Sequence, residues 1–460
     1  MKKAPRAGTS RGLAIQCLSR WAGSGKPITA FTETFIHGSG LKTEDCRLAV
    51  MLVMGTIRNQ QYLDIIVARF SKTPLRKMKP LTLAGLRIGI YQLCFLERIP
   101  DSAAVNETVK ALKKLHQPGW LIKFVNGTLR AIARQKRDLP APEIAGPDNG
   151  PVLEHPDWLI RCWSNTFGPE KMQDICRINS LLPELCLRVN TSRTDTGKLS
   201  TLLTQQGFTC RTGKYGPDSL ILPDYQGPVT DLPGFEQGLF QVQDQAAQLA
   251  GLLCTPLKKG GRYLDACAGL GGKTCALADA LPEKATLCAV EPDRRRTRLL
   301  KENLVRQRFS DRVTLICSDL QGFVDTDPAL FDGILLDAPC SGTGVIRRHP
   351  DIRWNRVATD IQAYQELQLS LLQTAATLLA PNGFLVYATC SLEPEENEQV
   401  IARFLAQSQR FNVTDCRRFL PENTAELVSD EGFFRPLPTG DIEGFFAARL
   451  HACGLPEKCV

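Results

Sequence analysis

The sequence is short of the residues that make metal centres and reactive clusters. It has five histidines in 460 residues, and no two of its 17 cysteines are spaced Cys-x-x-Cys; the nearest two are Cys453 and Cys459. That leaves little support for a zinc site, and no metal is expected. Aromatic residues are only 7% of the chain, and no apolar run reaches the length of a membrane span. Arg11 and Arg20 interrupt any signal-peptide core near the N-terminus. There is no internal repeat, no low-complexity tract and no Gly-x-x-x-x-Gly-Lys-Ser/Thr phosphate loop. These absences predict a cytoplasmic protein, with no membrane partner, whose many cysteines are mostly small buried apolar residues in a reducing compartment.

What is present is a 43% hydrophobic content, enough for two to four cored domains, and an uneven charge. Residues 1–150 hold 24 Lys and Arg against 10 Asp and Glu, a net +14, so the remainder of this +8 chain is −6. A basic front end on an acidic body predicts a polyanion-binding module, with nucleic acid as its partner.

Apolar spacing of three and four at Leu13, Cys17 and Trp21, and again from Leu48 to Ile66, predicts an all-helical domain over 1–140. Further helices are expected at 81–97, 102–115 and 119–134, with Asp101 capping one of them. Five prolines between Lys136 and Pro156 mark a linker or crossing segment. From there to 238 a small α+β module is expected: a helix from Trp158, a strand at Leu185–Val189, a helix at Lys198–Gln206 and a strand at Leu220–Leu222. It has the look of an RNA-recognition fold without the paired stacking aromatics, so no base reading is assigned to it. A shortened chain starting near Val152 is expected to keep cofactor binding and lose RNA affinity.

From 239 onward strands and helices alternate. Strands are expected at 262–267, 286–291, 313–317, 332–338 and 383–389, the pattern of a doubly wound parallel sheet, with Gly444–Leu450 as a last, antiparallel strand. The organising stretch is Asp265-Ala-Cys-Ala-Gly-Leu-Gly-Gly-Lys-Thr274. A strand that turns through glycines into a helix presents free backbone N–H groups to a ligand. Glu291 ends the next strand about 20 residues on, where a carboxylate suits a ribose diol. Asp319 and Asp337 end the following two. The turn residues Cys267, Ala268, Gly269, Leu270, Gly271, Gly272 and Lys273, with Glu291, Asp319 and Asp337, are the candidate cofactor contacts. At this point NAD and S-adenosylmethionine both remain open.

Two cysteines sit just beyond strand ends on the ligand side, Cys340 in Asp337-Ala-Pro-Cys-Ser-Gly-Thr-Gly344 and Cys390 in Ala388-Thr-Cys-Ser391. A thiolate nucleophile needs such a polar, partly exposed setting. Arg347, Arg348 and His349 follow the first loop and are candidate phosphate contacts.

The segments Gly55-Thr-Ile-Arg58, Leu86-Arg-Ile-Gly-Ile-Tyr-Gln-Leu93, Arg98–Glu107 and Val125–Arg130 resemble NusB-type RNA-binding domains. The segments Asp337–Asp351, Thr389–Glu398 and Val242-Gln-Asp244 closely resemble the RNA cytosine-5 methyltransferases of the Fmu/Sun/RsmB (NOL/NOP/Sun) type. The resemblance covers nearly the whole chain. It implies a multidomain architecture: an all-α NusB-like domain (1–140), an α+β RRM-like module (141–238) and a Rossmann-like methyltransferase domain (239–460). It also implies S-adenosyl-L-methionine as cofactor and a cytosine of small-subunit (16S) ribosomal RNA as substrate; a monomer is expected. By the same resemblance Cys390 is the nucleophile, Cys340 assists release, and Asp337 holds the base. The chain departs from the family pattern at Gly269-Leu270, where Ala-Pro is usual, and at Glu291, where Asp is usual. Two rival readings stay open. A DNA cytosine-5 methyltransferase would attack through Cys340, and an RNA-binding assembly factor would keep the fold without catalysis.

Overall fold

The structure is a computed structural model that describes residues 8–147, 150–326 and 329–453. Cys459 therefore lies outside the described residues. Two compact units result: residues 1–181 with His349–Arg356, and residues 182–348 with 357–460.

The first unit is helical. Its elements are α1 (Ser10–Trp21), α2 (Ile28–Phe35), α3 (Thr43–Arg58), α4 (Gln60–Phe70), α5 (Pro80–Phe95), α6 (Asp101–Lys114), α7 (Gly119–Arg134), α8 (Asp157–Phe167) and α9 (Pro169–Ser180). The three-four spacing of apolar residues buries one stripe per helix: Leu13, Cys17, Leu52, Ile66, Leu93, Leu112 and Leu129 meet in one core. Asp101 does not cap α6. It is the first helical residue, after Pro100, and its carboxylate takes Lys136 Nζ at 3.1 Å instead.

The proline-rich crossing segment packs against this core. Glu154 accepts Gln61 N at 2.8 Å and Tyr62 N at 2.9 Å, satisfying the bare N-terminus of α4. The inserted residues His349–Arg356 are equally committed. Arg353 is fully buried and donates to Glu154 O and Asn179 O at 2.9 and 2.8 Å. Trp354 Nε1 donates to Ile57 O, and Asp351 accepts Ile28 N. Cutting the chain near Val152 would remove Ile57, Arg58, Gln61 and Tyr62, and with them the acceptor of Trp354 Nε1, one acceptor of Arg353 and both donors to the buried Glu154 carboxylate.

The second unit holds two sheets. The smaller has the order β2-β3-β1-β4, all antiparallel, from β1 (Leu185–Val189), β2 (Arg211–Thr212), β3 (Ser219–Leu222) and β4 (Phe240–Val242), with α10 (Thr196–Gln205) packed on it. The larger follows α11 (Gln245–Leu252). Its elements are β5 (Arg262–Asp265), α12 (Gly272–Ala280), β6 (Thr286–Val290), α13 (Arg294–Gln307), β7 (Val313–Ile316), α14 (Leu320–Val324) and β8 (Phe331–Asp337). After α15 (Ile352–Asn355), which belongs to the first unit, come α16 (Ala358–Thr377), β9 (Leu379–Thr389), α17 (Glu398–Gln407), β10 (Phe411–Thr414) and β11 (Phe446–Ala452). The order is β10-β11-β9-β8-β5-β6-β7, parallel from β9 to β7. Buried on both faces, the central strands are continuous apolar runs such as Ile334-Leu-Leu336. β11 lies antiparallel beside β9 as expected, but the unforeseen β10 takes the edge. Its four residues alternate too briefly to stand out in sequence.

Candidate active site at the strand ends

Each candidate side chain owes its place to a parallel strand that ends and turns. β5 ends at Asp265, and the backbone passes through Gly269 (φ +56°) and Gly271 (φ +87°) into α12. No side chain caps α12, so its first N–H groups stay available to a ligand. The two glycines do different work. A Cβ on Gly269 would meet open space, whereas one on Gly271 would stand 2.2 Å from Leu300 Cδ1. Gly271 is therefore required by helix packing, and a side chain there acts through α13 before it could obstruct a cofactor. Leu270, in place of the family's proline, is half exposed.

Glu291, at the end of β6, is buried. Its two carboxylate oxygens accept Gly269 N and Asp293 N, each at 2.9 Å. The acid thus pins the glycine turn, and each oxygen keeps a second lone pair for a ligand. Asp319 is exposed, three residues past the end of the edge strand β7, and caps α14 by accepting Gly322 N at 2.7 Å. Cys267 lies within electrostatic reach of Asp265, Asp337 and Glu291; burial first, then these carboxylates, pushes its thiol up. Asp265, which sequence reasoning passed over, is buried. Thr274 Oγ1 donates to one of its oxygens at 2.7 Å, the other has no partner, and burial pushes its carboxyl up to about 7. The glycine turn, the uncapped helix and these acids suit an adenosyl group whose ribose is held by a carboxylate.

The cysteine side is built on β8 and β9, paired through Asp337↔Ala388. Asp337, one-third exposed, takes Lys273 Nζ at 2.7 Å. Burial alone would pull the Lys273 ammonium down, but Asp337 and Cys390 beside it reverse the sign and raise it. Lys273 is thus a fixed cation next to Cys390. Beyond the strand ends the loops bring Cys340 Sγ and Cys390 Sγ to 3.3 Å. The Cys340 thiol is pushed well up by its contact with Cys390 and by burial, so it stays protonated. Gly344 N donates to Cys390 O at 2.9 Å, and a Cβ there would lie 2.3 Å from Gly444 O. Only glycine lets the three backbone segments approach this closely.

One residue binds both cysteine loops. Glu396 is completely buried and accepts Ser341 N at 2.8 Å, Ser391 Oγ at 2.7 Å and Gln368 Nε2 at 2.8 Å. Ser341 follows Cys340 and Ser391 follows Cys390. The sequence contained Glu396 inside a run of acids with nothing to single it out, because its three donors come from three elements.

Arg347 and Arg348 are not poised for phosphate. Arg347 is buried on Glu443 at 3.0 Å, and Arg348 pairs with Asp244 at 3.0 Å and Glu443 at 3.1 Å. Two adjacent arginines in a loop look like a surface cluster until the fold supplies their acids. Asp244 also caps α11 and accepts Glu443 N, which accounts for the Val242-Gln-Asp244 signature.

Comparison with known proteins assigns each part of the chain to a known family model. Residues 8–134 match the NusB family model, 155–229 a ferredoxin-like domain of RsmF/B-like methyltransferases, and 253–451 the model described as 16S rRNA methyltransferase RsmB/F. The ribosomal RNA small subunit methyltransferase B of Pseudomonas putida is 39% identical over 402 residues, covering 87% of this chain and 88% of that protein. The chain belongs to the 16S rRNA methyltransferase RsmB/F family. A second member, from Pasteurella multocida, is 35% identical over 96% of both chains. A crystal structure of a methyltransferase homologue from Pyrococcus horikoshii shares 28% identity and a TM-score of 0.55, covering 65% of this chain and 96% of that one. The fold class read from sequence holds: NusB-like, ferredoxin-like and Rossmann-like parts in one chain.

Proposed function

We propose that this family member transfers a methyl group from S-adenosyl-L-methionine to C5 of a cytosine in small-subunit ribosomal RNA through a covalent Cys390–C6 adduct. The observation that carries the reading is the pair of thiols 3.3 Å apart at adjacent strand ends, one beside a lysine and the other held protonated. When bound, the cofactor supplies an electrophilic methyl on a sulfonium; the turn at Cys267–Lys273 with Glu291 would hold it. Asp319 lies one strand further out.

C5 of cytosine is a weak nucleophile. Cys390, which lies beside the Lys273 ammonium, adds to C6 as a thiolate, and the C5–C6 π electrons become available at C5. Asp337, oriented by Lys273, holds the base edge and favours protonation at N3 as charge develops there. C5 then takes the methyl as the sulfonium S–CH3 bond breaks. Transfer of the C5 proton to water and cleavage of the C6–S bond restore the double bond and release the Cys390 thiolate. Cys340, at van der Waals distance from that sulfur, assists this last step. The target base must be unpaired or flipped to reach the loops.

Covalent trapping tests the assignment. With substrate RNA and S-adenosylmethionine, Cys340→Ala should transfer methyl but accumulate a protein–RNA species that survives denaturing electrophoresis. Cys390→Ala should be inactive and form none, as should the double variant. Adduct in Cys390→Ala and none in Cys340→Ala would overturn the assignment in favour of attack by Cys340. Equal methylation of matched DNA would overturn the choice of RNA, and failure to bind S-adenosylmethionine would leave a non-catalytic assembly factor.

A further inference from the structure

Outside the front end the positive charge of this chain is concentrated on one helix. Residues 151–460 sum to −6, yet positions 294–308 hold seven Lys and Arg against the single acid Glu302, a local +6. The rest of that region is therefore −12.

The placement is unfavourable for the isolated protein. Arg294, Arg295 and Arg296 fill the first turn of α13, where the helix dipole opposes cations. Arg294 and Arg298 are an i,i+4 pair and Arg298 and Lys301 an i,i+3 pair, so like charges face each other. At 3.6 residues per turn, Arg294, Arg298, Lys301, Val305 and Arg308 fall along one stripe about 21 Å long. All five are exposed, Val305 at 59%, while Leu300, Leu304 and Gln307 face inward. The one acid on this side, Glu302, reaches Arg298 only at 3.7 Å, and both are exposed, a pair of little strength. Among the described residues no ion pair engages Arg294, Lys301 or Arg308.

The stripe borders an open cleft of about 740 Å³ whose lining includes Arg298, Lys301, Val305 and Arg308 together with the acids Glu236 and Glu302. Arg306 fixes its far wall: the guanidinium lies 4.2 Å from the Phe235 ring centroid and donates to Phe235 O and Phe240 O at 3.0 and 3.1 Å. Cations along an open groove suit the phosphate backbone of a single polynucleotide strand. α13 also starts three residues after Glu291, the acid read as the ribose contact. An acidic protein surface would satisfy the charges as well, but RNA is the polyanion this catalytic unit must already hold.

We propose that the α13 stripe is a docking surface for the phosphate backbone of single-stranded RNA flanking the target nucleotide. The proposal rests on the RNA-substrate reading above. Its test uses the full chain with Arg294→Gln, Lys301→Gln and Arg308→Gln combined, and a small-subunit ribosomal RNA fragment titrated at several KCl concentrations. Losing three cations should reduce the slope of log affinity against log salt by about 2, at roughly 0.7 per phosphate contact for a single strand. Affinity at 0.15 M salt should fall about 10- to 100-fold, on the order of the 1–2 log units implied by that slope change. Affinity for S-adenosylmethionine and thermal stability should stay as in wild type, and Arg294→Lys with Arg308→Lys should retain the slope. Unchanged RNA affinity and slope in the triple Gln variant would overturn the proposal. So would competition by polyglutamate that is lost in the variant while RNA binding is not, because the stripe would then serve a protein. A Cys340→Ala protein, wild type elsewhere, that binds RNA but forms no adduct sinks the catalytic reading, while the slope comparison still judges the stripe.

Discussion

The two sides of the large sheet's strand-end face are built on opposite plans. Around β5, β6 and β7 polar groups are left open to a ligand: α12 has no cap, Gly269 faces open space, and Glu291 and Asp319 keep spare acceptor capacity. Around β8 and β9 the polar groups are bonded to one another: Ser341, Ser391, Gln368 and Glu396 are closed into one buried network, and Lys273 is fixed on Asp337. A diffusible cofactor must enter and leave, so its side keeps donors and acceptors in reserve. Covalent chemistry needs two sulfurs held within a few tenths of an ångström, so its side uses its donors and acceptors to fix loops.

The largest effect should come from breaking the closed side at its centre. Glu396→Ala leaves Ser341 N, Ser391 Oγ and Gln368 Nε2 without their acceptor, which should remove about 3 kcal/mol or more of stability. Turnover should drop by roughly 100-fold or more from misplacement alone. The informative readout is the partition of the reaction. If Glu396 holds the two cysteine loops together, Glu396→Gln, which keeps the volume, should accumulate covalent RNA adduct at a level between wild type and Cys340→Ala. Wild-type partitioning in Glu396→Gln would show that the network supports the fold without setting the thiol geometry.

A smaller effect is expected on the open side. Glu291→Ala removes the acceptor of Gly269 N and the proposed ribose contact, and should weaken S-adenosylmethionine binding by roughly 10- to 100-fold, the worth of one to two charge-assisted hydrogen bonds. Calorimetry on the RNA-free protein reads this directly. Adduct formation at saturating cofactor should be spared, and loss of both together would erase the distinction between the two sides.

The smallest effect is a pH slope. Asp265 titrates at about 7 when folded, above its unfolded value of about 3.9, so the folded state holds its proton more tightly. The stability this gives is fully present below about pH 4 and is lost as pH rises through 7, at about 1.4 kcal/mol per pH unit. Asp265→Asn should flatten that part of the slope in urea unfolding between pH 4.5 and 7.5. Glu154 in the helical unit, also raised to about 7 by burial, acts in the same direction and should keep its share. An unaltered slope in Asp265→Asn would mean that the acid ionises without cost beside Lys273.

Much of this protein was legible in its sequence because the signals are local. Period-3.6 stripes from Leu13 to Ile132 specify helices without reference to anything distant, and apolar runs separated by glycines specify buried parallel strands. The carboxylates and cysteines lie within three residues of strand ends, so strand prediction alone puts them on the ligand side. The tertiary structure decided everything that depends on a partner far along the chain. Arg347 and Arg348 look free until Glu443 and Asp244 reach them. Asp101 looks like a cap until Pro100 ends the preceding turn and Lys136 takes its carboxylate. Residues 136–156 read equally as a linker or a crossing segment until Glu154 meets the start of α4 and Arg353 is seated behind it. Glu396 is one acid among several until Ser341, Gln368 and Ser391 converge on it. Charge and hydrophobicity are properties of a residue and can be read singly, but burial, pairing and a 3.3 Å sulfur contact are properties of pairs separated by tens or hundreds of positions, and only the folded chain brings those pairs together.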